Sequence, residues 1–211
     1  MNKDGVLYYY ENGKPTEKGL FVLDGDYYYS RYDGSLIVSE KYYAWKLDAT
    51  SELPTGHYEF GADGKMLQGI VDKSGVLYYY VNGKPTEMGL FVLDGEHYYA
   101  QYDGTLIVNK SYYAWKLHET SELSKDTYLF DETGKVVGDS KDGEIVNIDG
   151  VLYYYESGKP VEKGLFILDG YYYYSRYDGS LIVNDKYYVW KHNDLLYPLS
   201  YTFNEFGQII K

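Results

Sequence analysis

The chain alternates short apolar runs with glycine-containing turns. Residues 6–10, 20–23, 27–32, 36–38 and 42–46 are rich in β-branched and aromatic side chains, which suit a pleated, half-buried surface. Asn12-Gly13, Asp24-Gly25, Asp33-Gly34 and Asp63-Gly64 punctuate them. A two-residue hairpin needs positive φ at both central positions, and Asn-Gly or Asp-Gly supplies it at little cost. No ten-residue segment keeps a 3.6-residue apolar period without a glycine, so no helix is predicted. Residues 47–56, 117–126 and 192–199 are less regular and read as longer loops. The pattern predicts an all-β chain of hairpins.

The pattern also repeats. Gly-Val-Leu-Tyr-Tyr-Tyr begins at Gly5, Gly75 and Gly150. Asn12-Gly13-Lys14-Pro15 returns as Asn82-Gly83-Lys84-Pro85 and as Ser157-Gly158-Lys159-Pro160. A Gly-Leu-Phe-Val/Ile-Leu-Asp-Gly run starts at Gly19, Gly89 and Gly164, and Tyr-Tyr-Ala/Val-Trp-Lys starts at Tyr42, Tyr112 and Tyr187. Well over half of the aligned positions are identical between the first two copies, the mark of a repeat architecture. The third copy starts late because the segment before Gly150 carries a short insertion. Three modules are expected, at 1–73, 74–148 and 149–211, forming one continuous solenoid.

Composition narrows the core. The chain has 211 residues, of which 31 are tyrosine, against 7 Phe and 3 Trp. Tyr27-Tyr28-Tyr29 places rings on both faces of a strand, because successive side chains alternate. That suits a thin stack of hairpins in which rings pack laterally and hydroxyls reach water. The formal net charge of −12 disfavours a nucleic-acid backbone as partner. No apolar run is long enough for membrane insertion. Cysteine is absent, which removes thiol nucleophiles and thiolate metal sites. Met1–Gly5 shows no apolar signal-peptide core.

A finer spacing lies inside each copy. Gly19-Leu20 opens it, Gly25 is the second glycine, Tyr27-Tyr28-Tyr29 is an aromatic triplet, Gly34 is a turn glycine and Leu36 closes it. The spacing holds from Gly89 to Leu106 and from Gly164 to Leu181. Partial copies keep Tyr58, Phe60, Gly64 and Met66, and Tyr128, Phe130 and Gly134. This resembles the cell-wall-binding repeat family, which includes choline-binding and glucan-binding modules and the related repeats of large clostridial toxins, in a degenerate tyrosine-rich form. The resemblance implies an elongated solenoid of β-hairpins and an extracellular or cell-surface location. In choline-binding members the tryptophan after the first glycine forms part of the cage. Leu20, Leu90 and Leu165 stand in that place, and leucine offers no ring face to a quaternary ammonium.

The candidate ligand residues are Trp45, Trp115 and Trp190 with Tyr43, Tyr113 and Tyr188. Each pair is spaced by two and shares a strand face. It reads either as a seam where modules stack or as an open platform for sugar rings. The repeated aspartates Asp24, Asp33 and their counterparts precede glycine and read as turn residues rather than calcium ligands. None of the histidines His57, His97, His118 and His192 repeats across the copies, and no nucleophile, metalloprotease or phosphate-loop motif occurs. The expectation is a non-catalytic domain of a bacterial surface or secreted protein, with no cofactor, that binds cell-wall polymer or glycan through aromatic grooves. The alternative is a stalk or spacer that self-associates end to end through its repeat ends.

Overall fold

The computed structural model describes residues 2–3, 5–139 and 141–210, and of Lys3 the backbone alone. Met1 and Lys211, which belong to the repeat ends read from the sequence, lie outside the described residues, as do Asp4 and Ser140. No helix occurs among the described residues. The first strands are β1 (Asn2–Lys3), β2 (Val6–Leu7), β3 (Tyr10–Glu11), β4 (Lys14–Pro15), β5 (Gly19–Leu23), β6 (Asp26–Ser30), β7 (Glu40–Ala44) and β8 (Gly56–Phe60). The pattern returns as β9 (Gly69–Lys73), β10 (Val76–Val81), β11 (Lys84–Pro85), β12 (Gly89–Leu93), β13 (Glu96–Ala100), β14 (Lys110–Tyr113) and β15 (Thr127–Phe130). It returns again as β16 (Glu144–Ile148), β17 (Val151–Glu156), β18 (Lys159–Pro160), β19 (Gly164–Leu168), β20 (Tyr171–Ser175), β21 (Lys186–Tyr188), β22 (Ser200–Phe203) and β23 (Ile209–Ile210). Every sheet has two or three strands and joins sequence neighbours. The fold is a succession of antiparallel β-hairpins.

The turns are of two kinds. At Asn12-Gly13 and Asp24-Gly25 both residues have positive φ, at 51° and 77° and at 54° and 89°, as a tight hairpin requires. Asp33-Gly34 and Asp63-Gly64 differ from that expectation, since only the glycine is left-handed. There the aspartate closes the turn with its side chain: Asp33 Oδ1 accepts from the Ser35 amide at 2.9 Å and the Ser35 hydroxyl at 2.7 Å. This Asx arrangement holds the chain without a hairpin. It also ends β6 at Ser30, two residues before the expected end, and leaves residues 36–38 with one bridge, Ser30 to Leu36. The irregular segment expected at 47–56 is a loop up to residue 55, and Gly56 already opens β8.

The chain divides into two compact units, Met1–Met88 with Ala100–Leu106, and Gly89–Tyr99 with Ile107–Lys211. The first has a core around Leu20, Tyr29, Ile37, Ala44, Tyr58 and Phe60. In the second, Leu90, Tyr99, Ile107, Ala114, Tyr128 and Phe130 form one cluster, and Leu165, Tyr174, Ile182, Val189 and Phe203 another. The same repeat positions therefore build these three clusters. Tyrosine serves as a core residue because its hydroxyl is paired locally. Tyr58 donates to the Pro54 carbonyl at 2.7 Å, Tyr128 to Ser124 at 2.8 Å and Tyr201 to Tyr197 at 3.0 Å. Rings also pair: Tyr29 with Tyr42 at 4.7 Å, Tyr99 with Tyr112 at 4.8 Å and Tyr174 with Tyr187 at 5.1 Å between centroids. Such pairs add about 0.5–1.5 kcal/mol beyond area burial.

Burial, reinforced by the adjacent Tyr187, pushes the Tyr174 phenol up to about 12, and burial pushes Tyr29 and Tyr154 further in the same direction. A phenol that holds its proton more tightly in the folded state contributes fully below the unfolded value of about 10. Its contribution falls as the pH rises from there through the folded value. The melting temperature should thus be insensitive to these phenols at neutral pH and decline steeply above about pH 10. Thermal melts followed by circular dichroism check this. A melting temperature maintained through pH 12 would contradict the buried placement.

Candidate functional site

The Tyr/Trp pairs lie at the ends of β7, β14 and β21. In β7 the alternation sends Tyr42 and Ala44 inward, with Ala44 fully buried, and turns Tyr43 outward. Trp45 keeps the outward side one step beyond the strand. The other copies place Ala114 and Val189 inward in the same way, each fully buried between the two rings of its pair. Trp45, Trp115 and Trp190 are 58%, 53% and 59% exposed, and Tyr43, Tyr113 and Tyr188 are also exposed. The pairs are therefore open surface and not a stacking seam. Trp115 Nε1 donates to the Tyr112 hydroxyl at 3.3 Å, and Tyr43 packs edge-on against His57 with centroids 5.0 Å apart.

A backbone clip fixes the tryptophan. The Leu20 amide donates to the Lys46 carbonyl at 2.8 Å, and the Leu20 carbonyl accepts from the Asp48 amide at 2.8 Å. Leu47 thereby bridges Leu20 in parallel, and the Leu90–Leu117 bridge repeats this. In the third copy Leu165 donates to Lys191 at 2.8 Å, while the side-chain amide of Asn193 takes the second place at 2.8 Å. The clip passes so close to Gly19 that an added Cβ would lie 2.4 Å from the Lys46 carbonyl oxygen, and Gly89 faces Lys116 at 2.5 Å. The first glycine of the repeat spacing is thus required by this crossing. The leucine beside it is drawn inward: Leu20, Leu90 and Leu165 are completely buried and present nothing to a ligand.

One set of aromatics escaped the sequence reading. Tyr32, Tyr102 and Tyr177 are 84%, 88% and 90% exposed, each at the apex of a turn closed by glycine. The Gly34 amide donates to the Arg31 carbonyl at 2.9 Å, and Gly104 and Gly179 do the same to Gln101 and Arg176. The signal was present as Tyr-Asp-Gly in every copy, but assigning Tyr32 to the preceding strand hid it.

A groove between hairpins is open in the first copy, whereas its third-copy counterpart is filled. A cavity of about 500 Å³ in the first unit is lined by Tyr8, Tyr9, Tyr10, Phe21 and Tyr28 among others. Its rings already pack on one another, Tyr9 on Phe21 at 4.6 Å and Phe21 on Tyr28 at 5.7 Å. The third-copy equivalents Tyr154, Phe166 and Tyr173 are buried in a cluster with Leu181. The histidines serve local structure. His97 Nδ1 lies 2.7 Å from Asp139, in the aromatic slot of Tyr27, and His118 and His192 accept loop amides two residues ahead.

Neither a family model nor a curated protein sequence matches the chain. Among solved structures it is similar to choline binding protein F from Streptococcus pneumoniae, at 21% identity and a TM-score of 0.43, over 97% of this chain and 61% of that one. The choline-binding domain of CbpL from the same organism gives 18% identity and a TM-score of 0.38, over 93% and 98% of the two chains. Alternansucrase in complex with isomaltononaose gives 19% and 0.40, over 98% of this chain and 16% of that one. The chain thus spans about three fifths of the length of choline binding protein F. At this identity and overlap the likenesses identify no ligand.

The clip predicts an asymmetry between two left-handed glycines. Gly25→Ala adds a Cβ with nothing within 4 Å at φ +89°, so it carries conformational strain alone, about 1–2 kcal/mol. Gly19→Ala adds the same strain and must also displace the Lys46 carbonyl, for a total of about 2–4 kcal/mol. Urea unfolding of both variants measures the difference. Equal losses would show that the crossing carries no energy.

Proposed function

We propose that the protein is a non-catalytic, tyrosine-rich relative of the cell-wall-binding repeats, which holds a bacterial surface or secreted protein on a cell-wall polymer or glycan. The observation that carries this is the outward Tyr/Trp pair at 43/45, 113/115 and 188/190. The core clusters are built from other residues, so these six large rings lie about half exposed outside them. The apolar faces of sugar rings would cover these aromatic faces, and each contact would be modest. Three copies on one ligand chain convert modest contacts into avidity, provided the polymer can reach more than one of them. Tyr32, Tyr102 and Tyr177 add a second repeated ring to the same surface chemistry. The net charge of −12 favours a neutral or cationic polymer over an anionic one at low salt.

The buried leucines argue against a choline cage built from the residue after the first glycine. Retention on purified cell wall and on a glycan array tests the platform. The combined Trp45→Ala, Trp115→Ala and Trp190→Ala chain should fold, since these side chains are exposed, and should lose at least about tenfold in retention if each ring contributes 0.5–1.5 kcal/mol. A folded triple variant retained as well as the parent rejects the reading.

A further inference from the structure

Two turns that hold Asp-Gly recur in every copy. Asp24-Gly25, Asp94-Gly95 and Asp169-Gly170 are the two-residue loops of the hairpins β5–β6, β12–β13 and β19–β20. Asp33-Gly34, Asp103-Gly104 and Asp178-Gly179 lie in the turns that follow those hairpins. This dipeptide has a reaction of its own, because glycine puts no side chain in the way of its amide. The glycine nitrogen attacks the aspartate Cγ, the amide proton and one carboxyl oxygen leave as water, and a five-membered succinimide closes. Water then opens the ring at either carbonyl. One opening restores aspartate; the other gives isoaspartate, whose backbone runs through the side-chain carbons. Closure needs a free amide, a free carboxyl and a peptide able to turn toward the side chain.

The hairpin loops meet these conditions. Both residues of each are exposed and have positive φ, from 50° at Asp169 to 89° at Gly25. The central peptide of such a loop stands outside the strand ladder, and among the described residues it makes no hydrogen bond in any copy. A Cβ added at Gly25, Gly95 or Gly170 has nothing within 4 Å, so the peptide has room to turn.

The second set is closed at the same atoms. The amides of the buried Gly34, Gly104 and Gly179 donate to the carbonyls of Arg31, Gln101 and Arg176, each at 2.9 Å. Their carboxyls are occupied too. Asp103 Oδ1 accepts from the Thr105 amide at 3.0 Å and hydroxyl at 2.7 Å, Asp178 Oδ1 accepts from Ser180 at 3.0 and 2.6 Å, and Asp33 is bound to Ser35 in the same way. The hydroxyl, then the amide, holds each of these carboxyls below its usual range, and an ionised carboxylate is a poor electrophile. Asn82-Gly83, the analogue that would lose ammonia, is shielded likewise: Gly83 is buried and its amide donates to Leu67 at 2.9 Å.

We propose that Asp24, Asp94 and Asp169 are sites of spontaneous isomerisation to isoaspartate, and that the fold shields Asp33, Asp103 and Asp178 from the same reaction. Each event adds one carbon to the chain within a two-residue loop, whose length fixes the register of its strands. None of these residues belongs to the Tyr/Trp pairs, so the chemistry proceeds whatever those rings bind.

Incubating the folded chain for weeks at neutral pH, followed by proteolysis and electron-transfer fragmentation, reads isoaspartate position by position. Isomerisation at residues 24, 94 and 169 should exceed that at 33, 103 and 178 by at least about fivefold, the ratio that corresponds to one ordinary hydrogen bond. A parallel sample unfolded in urea should lose the contrast, since both sets are then free. Asp24→Glu should remove the signal at that turn alone, because glutamate would have to close a slower six-membered ring. Equal rates in the folded chain, no isoaspartate at the hairpin loops, or a contrast that survives unfolding overturns the proposal.

Discussion

The hydrogen-bonded crossing of the chain over Gly19, Gly89 and Gly164 is the constraint on which the other features depend. It ties the segment after the outward strand back to the start of the preceding hairpin, and a side chain at the crossing would occupy the place of a carbonyl. Beside the crossing the adjacent leucine turns inward, where it is completely buried together with Ile37 and Ala44 or their counterparts. The strand that approaches the crossing must alternate through a small residue, Ala44, Ala114 or Val189, to pass over that core. The rings on either side are then forced outward. A single close approach of backbone therefore accounts for both the buried leucine and the outward tryptophan beside it.

Tyrosine abundance follows from the thinness of the hairpins. A narrow sheet has little interior, and a large ring can be buried in it only when the ring edge lies close to the surface. Tyr58, Tyr128 and Tyr201 meet this by donating to a carbonyl of the loop just before their strand. Tyr80 meets it differently, with its hydroxyl donating to Glu59 at 3.0 Å and Lys73 donating to the hydroxyl at 3.2 Å. A phenylalanine at Tyr58 or Tyr128 would fill the same volume and leave a loop carbonyl without its donor. The same chemistry does not extend to Tyr32, Tyr102 and Tyr177, which stand at exposed turn apices and make no contribution to a core.

The hairpin content, the turn glycines and the threefold repetition could be read from the sequence because local rules decide them. Alternation, Asn-Gly and Asp-Gly pairs and glycine spacing all act within a few residues. What could not be read was set at longer range. The direction of Trp45 depends on a bond between residues 20 and 46, and strand alternation alone permits either face to be the buried one. Asp33-Gly34 resembles Asp24-Gly25 in sequence, yet Ser35 follows the first and gives its aspartate a local partner, so the turn takes another form. That difference moved Tyr32 from a strand to a turn apex.

The outward rings and the contacts between repeats use the aromatic surface in opposite ways. Tyr43, Trp45 and their counterparts stand at the end of a strand whose other side builds the core, so changing them leaves the core in place. The turn at Gly83 instead exchanges backbone hydrogen bonds with Glu59 and Leu67 and has no room for a side chain, so it discriminates by shape and register rather than by area. A surface of the first kind tolerates ring-for-ring exchange, whereas one of the second kind fails with a single added carbon. If the outward pairs bind a polymer as proposed, three of them on one chain raise retention well above that of a single pair, because each further contact forms at high local concentration.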